Sequence, residues 1–130
     1  MANDSNVEQS RALVVDDDNT MVEYVSAILR RAGYQVETAG DGMTALDMYR
    51  ARPFDAVVCD IRMPKLSGIS FLKNLRLTAD SSCRVVLLSA MADPTVRREA
   101  LAAGAVAYLL KPASGKAIVE AVSGVPAVQL

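Results

Sequence analysis

Three stretches of the chain run apolar without alternation: Leu13-Val14-Val15, Val57-Val58 and Val85-Val86-Leu87-Leu88. Strands covered by helices on both faces read this way, because neither face turns to water. These runs belong in the middle of a sheet. Tyr34-Gln35-Val36-Glu37-Thr38 alternates instead, as expected of an edge strand with one face partly wet. Turn and capping residues bound five strand candidates at residues 12–15, 34–38, 56–59, 84–88 and 106–109. Segments of helical period separate them, so the pattern predicts an α/β fold of five βα units around a parallel sheet.

Met21, Val25, Ile28 and Leu29 recur at helical spacing, and Gly33 follows as a stop. Asp41, Ser67 and the Asp93-Pro94 pair each precede an apolar stripe, which predicts three further helix starts. A last helix over 114–122 is short and weakly patterned, and Ser123-Gly124-Val125-Pro126 reads as its stop and the beginning of a tail or linker. The expected organisation is a flexible segment over 1–10, one domain over 11–122 and a tail over 123–130.

Composition narrows the function. With 130 residues there is room for one core. Fourteen basic against fifteen acidic residues give a net charge of −1, so neither direct nucleic-acid binding nor a membrane surface is indicated. Cys59 and Cys83 stand in separate apolar runs, without CxxC spacing and without a histidine in the chain, and read as reduced core thiols. Residues 1–10 lack the apolar stretch of a signal peptide, and the apolar run at 85–92 is too short to span a bilayer, so the expected compartment is the cytosol.

Open parallel sheets carry their ligands at the carboxyl ends of the strands. Four polar groups follow apolar strands there: Asp16-Asp17-Asp18, Asp60, Ser89, and Lys111-Pro112. Two carboxylates ~4 Å apart repel by roughly 4 kcal/mol at an effective dielectric of 20, so such a cluster calls for a counter-charge. Oxygen donors without histidine or thiolate favour Mg²⁺, with Mn²⁺ as the alternative. A carboxylate in that setting can attack phosphorus, with the Lys111 ammonium and the Ser89 hydroxyl on other phosphoryl oxygens. Taken singly, each feature has a plainer explanation: a solvated loop or helix cap for the aspartates, a solubilising lysine, an ordinary strand-end hydroxyl. Their coincidence at all four strand ends is what points to chemistry.

The chain closely resembles the receiver domains of two-component response regulators over residues 11–122. The resemblance is carried by Leu13-Val14-Val15-Asp16-Asp17-Asp18, Asp60-Ile61-Arg62-Met63-Pro64 with Ser67-Gly68, Leu88-Ser89-Ala90 and Tyr108-Leu109-Leu110-Lys111-Pro112. It implies a flavodoxin-like three-layer sandwich with strand order 2-1-3-4-5. It also implies that Asp60 accepts a phosphoryl group from a histidine kinase or histidine phosphotransfer protein, acting as a signalling phosphoacceptor that assists its own phosphorylation and dephosphorylation. Asp16 and Asp17, with Asp60 and the backbone carbonyl of Arg62, would hold Mg²⁺. Lys111 and Ser89 would bind the phosphoryl oxygens, and Ser89 with Tyr108 would form the switch, read out on the face of the fourth helix, fifth strand and fifth helix. The target would be a separate partner or a fused output domain, and dimerisation through the readout face on phosphorylation is a habit of the family. Met21 and Tyr24, one helical turn apart beside the acidic loop, are candidates for the partner-docking face; ordinary helix surface explains them equally well.

Ala113 departs from the family pattern, in which a larger apolar residue often follows the Lys-Pro pair, and a looser last helix is expected. Arg62 and Met91 flank the site where the family tunes acyl-phosphate lifetime, and no dedicated phosphatase activity is expected. A haloacid dehalogenase type of enzyme would need an aspartate where Arg62 stands, and a dinucleotide module would need a GxGxxG loop where three aspartates stand. A receiver-like scaffold that is never phosphorylated is the serious alternative, and metal binding separates it.

Overall fold

The computed structural model describes residues 9–78 and 82–124. Along the chain run β1 (Arg11–Val15), α1 (Asn19–Arg31), β2 (Gln35–Ala39), α2 (Gly42–Ala51), β3 (Ala56–Asp60), α3 (Gly68–Arg76), β4 (Arg84–Ser89), α4 (Pro94–Ala102), β5 (Ala107–Leu110) and α5 (Gly115–Ser123). The sheet is parallel with order β2-β1-β3-β4-β5. The continuous apolar runs are therefore its three central strands, and the alternating one is an edge. The fold is flavodoxin-like, as the resemblance implies.

Alternate residues of the central strands feed two separate cores. Leu13, Val15, Val57, Cys59, Val85 and Leu87 pack with α2, α3 and α4. Ala12, Val14, Ala56, Val58, Val86 and Leu88 pack with α1 and α5. Phe71 and Leu72 on α3, and Ile118 and Val122 on α5, are fully buried, and each such side chain contributes about 1.5–3 kcal/mol against exposure. Those two anchors seat α5 despite its weak pattern, and Ala113 is itself buried in the second core.

Local chemistry sets the element ends. Asp41, Ser67 and Asp93 cap their helices as expected, accepting from the N–H groups of Thr44, Ser70, and Thr95 with Val96. Gly33, at φ 101°, ends α1, with Gly33 N donating to Arg30 O and Tyr34 N to Leu29 O. Tyr34 is thereby held in the helix stop, and β2 starts one residue later than expected. Likewise Ser114 caps α5, Gly124 at φ 77° closes it, and β5 runs one residue further along than expected. Val125 and Pro126, expected to begin the tail, lie outside the described residues, as do residues 1–8 of the N-terminal segment.

At the amino rim, opposite the strand ends that carry the polar groups, Arg11 is buried. Its guanidinium donates to Arg52 O, Pro53 O and the Glu37 carboxylate, and lies 4.2 Å over the Phe54 ring. Its backbone N–H donates to the Asp55 carboxylate. Buried charge is tolerable here because every donor direction in use meets an acceptor or a π face.

Candidate functional site

Register in the parallel sheet decides which residues meet at the carboxyl rim. Val15 stands beside Cys59, Asp60 beside Leu88, and Ser89 beside Leu110. Asp16 and Asp60 are thus level at the ends of two neighbouring strands, with Ser89 one residue and Lys111 two residues further along the next two. Asp16, Asp17 and Asp60 each place a carboxylate oxygen within 4.8 Å of the others. The three residues of the acidic run do different work. Asp16 is buried, its Oδ1 accepting from Asp18 N at 3.0 Å and its Oδ2 from Lys111 Nζ at 3.2 Å. Asp17 is exposed on the same cluster. Asp18 turns away and caps α1 through Thr20 N at 2.9 Å, so the plainer reading, a helix cap, holds for this one of the three aspartates.

Lys111 Nζ lies 3.2 Å from both Asp16 Oδ2 and Asp60 Oδ1. One ammonium pairs with two of the three clustered carboxylates. Burial pushes the Asp60 carboxyl above its ordinary value, the charge of Asp16 adds to the push, and Lys111 pulls against both. For Lys111 itself burial works to lower the pKa, but the charge of Asp60 and the hydrogen bond to Asp16 leave it raised. The site is short of positive charge.

Beside Asp60 a pocket of about 180 Å³ is walled by Asp60, Arg62, Ser89, Ala90, Met91 and Lys111. Arg62 and Met91 thus flank Asp60, as expected. Ser89 Oγ accepts from Met91 N and donates to Met91 O, both at 3.1 Å. Half-buried Tyr108 donates its hydroxyl to the same carbonyl at 2.8 Å. The expected switch pair therefore shares one acceptor, the main chain of Met91, and nothing local in the sequence marks that carbonyl. Below the rim Cys59 is fully buried; burial and the charges of Asp60 and Asp16 push its thiol well above the ordinary value, which agrees with an inert core residue.

Met21 packs at the margin of the second core, while Tyr24 is exposed. The Tyr24 hydroxyl is nevertheless occupied, donating to Ala113 O at 2.9 Å. Among the described residues no helix is long and apolar enough to cross a membrane.

Comparison with known proteins agrees with this geometry. The family model for the response regulator receiver domain matches residues 12–123. Chemotaxis protein CheY of Treponema pallidum is 36% identical over 118 residues, covering 88% of this chain and 81% of that protein. Transcriptional regulatory protein ZraR of Klebsiella oxytoca is 42% identical over 105 residues, 81% of this chain but 24% of that protein, so the chain spans about a quarter of the length of such regulators. The structure of chemotaxis response regulator CheY4 of Vibrio cholerae superposes with a TM-score of 0.83 at 31% identity, covering 92% of this chain and 100% of that one. With four strand ends delivering the acidic cluster, the hydroxyl and the lysine to one rim of the sheet, the chain belongs to the response regulator receiver domains of two-component signal transduction.

Proposed function

We propose that Asp60 is the phosphoacceptor of this receiver domain and that Asp16, Asp17 and the backbone carbonyl of Arg62 complete a divalent cation site with it. One observation carries the reading: three carboxylates lie within 4.8 Å of one another, and the one ammonium among them pairs with only two, Asp16 and Asp60. The donor set suits Mg²⁺, with Mn²⁺ as the alternative, since it is all hard oxygen. A bound Mg²⁺ would neutralise charge on the transferred phosphoryl group.

The protein's own groups do the rest. An Asp60 carboxylate oxygen bonds to phosphorus as the bond from phosphorus to the donor's imidazole nitrogen breaks, the electron pair staying with the donor. Lys111, already 3.2 Å from Asp60, pairs with a phosphoryl oxygen. Ser89 turns from Met91 to donate to another oxygen, and Tyr108 loses its fixed partner as the Met91 loop shifts. The switched conformation is favoured only by the free energy that these new contacts supply. The same pocket admits the water that hydrolyses the acyl phosphate, so the domain assists its own dephosphorylation.

The donor is a histidine kinase or histidine phosphotransfer protein in the cytosol, docking beside the acidic loop over the face that Met21 and Tyr24 begin. The output is a separate target or a fused domain, with phosphorylation-dependent pairing of two copies as one form of it. Intact mass after incubation with Mg²⁺ and acetyl phosphate tests the acceptor. The expected result is a single phosphoryl adduct that requires Mg²⁺ and is absent in Asp60→Asn; no adduct on a parent protein that binds Mg²⁺ would make the chain a scaffold.

A further inference from the structure

Tyr24 sits on the exposed side of α1, where a hydroxyl has water for a partner at no cost. It bonds instead to the carbonyl of Ala113, 89 residues away in sequence, at 2.9 Å. Ala113 is buried and stands two residues after Lys111, with Pro112, whose ring fixes its own φ, between them. Upstream, Lys111 N donates to Ser89 O at 2.8 Å. Downstream, Ser114 caps α5. The Tyr24 hydroxyl thus adds a directional tie, in the core that α1 and α5 share with Ala113, from α1 to the segment that carries Lys111.

The same helix also holds the other end of the ion pair. Asp18 caps α1 through Thr20 N, and Asp18 N donates to Asp16 Oδ1. Asp16 and Lys111, paired at 3.2 Å, are therefore both referenced to α1, one through its first turn and the other through Tyr24. We propose that Tyr24 is a positioning residue for Lys111, its hydroxyl holding the loop after β5 so that the ammonium meets the oxygens on Asp60. This rests on the phosphoacceptor reading. It also separates Tyr24 from Met21: the tyrosine has an internal task whether or not a partner docks over it.

A small phosphodonor removes partner docking from the test. Tyr24→Phe keeps the ring and deletes the hydrogen bond, so phosphorylation of Asp60 by acetyl phosphate with Mg²⁺, followed by intact mass, should slow about three- to tenfold, the factor that a hydrogen bond of ordinary net strength carries. The thermal midpoint should fall by a few degrees, as for any lost hydrogen bond, so the comparison of backgrounds decides the role. In a Lys111→Met background, followed over longer incubations, the same Tyr24→Phe change should alter the residual rate less than about twofold, because the group being positioned is gone. An equal slowing in both backgrounds would make Tyr24 a general structural residue and overturn the proposal, as would a parent-like rate in Tyr24→Phe alone. A parent protein that takes no phosphoryl group overturns the phosphoacceptor reading, and the proposal falls with it.

Discussion

At Gly68 a β-carbon would stand 2.5 Å from the carbonyl oxygen of Asp60 and 2.9 Å from the Cα of Ile61. Those atoms are backbone at the carboxyl end of β3, so nothing nearby can yield without moving Asp60. Gly68→Ala should destabilise the fold by about 1–3 kcal/mol, the usual cost of overpacking, and should lower the phosphorylation rate more than stability alone explains. Denaturant unfolding beside an acetyl phosphate time course would check both. Ser67-Gly68 stood out in the sequence as part of a motif, yet its reason lies in a close approach between β3 and α3 that no local pattern expresses. The same holds for the Met91 carbonyl and for Arg11. Asp60, Asp16 and Lys111, by contrast, were legible, because a polar residue at the end of an apolar strand has only the rim to occupy.

Helix starts were the most readable elements, since a cap and its N–H partner lie within three residues of each other; Asp41, Ser67 and Asp93 all cap where expected. Strand limits slipped by a residue where a neighbouring element claimed the end, as Gly33 and Tyr34 do in closing α1. Between β3 and α3 the chain turns through Lys65 at φ 72°, a left-handed conformation that costs a side chain with a β-carbon roughly 1 kcal/mol. Its ion pair with Asp41, 3.8 Å long and largely exposed on the lysine side, returns little. Lys65→Gly should therefore stabilise the domain by several tenths to about 1 kcal/mol, seen as a higher urea midpoint at unchanged slope. A lower midpoint would mean that the ion pair outweighs the backbone.

Over the whole molecule the raised Asp60 carboxyl, caused first by burial and then by Asp16, ties stability to pH. A group that holds its proton more firmly when folded favours the fold fully below its ordinary carboxylate value, and that contribution is lost as pH rises through the raised folded value. Without Mg²⁺, the stability advantage of Asp60→Asn over the parent should therefore be small at acid pH, grow across the window just above the ordinary carboxylate value, and level off toward neutrality. Paired thermal melts would show it, and Mg²⁺ should shrink the neutral-pH difference. The layout of the rim could be read from the sequence because a parallel sheet defines it; the ties between α1 and the loop after β5 could not, since they join residues 89 positions apart. The opposite rim gives these loops their leverage. There the Arg11 guanidinium grips Glu37 on β2, two carbonyls ahead of β3 and the Phe54 ring at once. The two strands whose far ends carry Asp16 and Asp60 are thus riveted together at their roots, and the acidic half of the rim stands on a fixed footing.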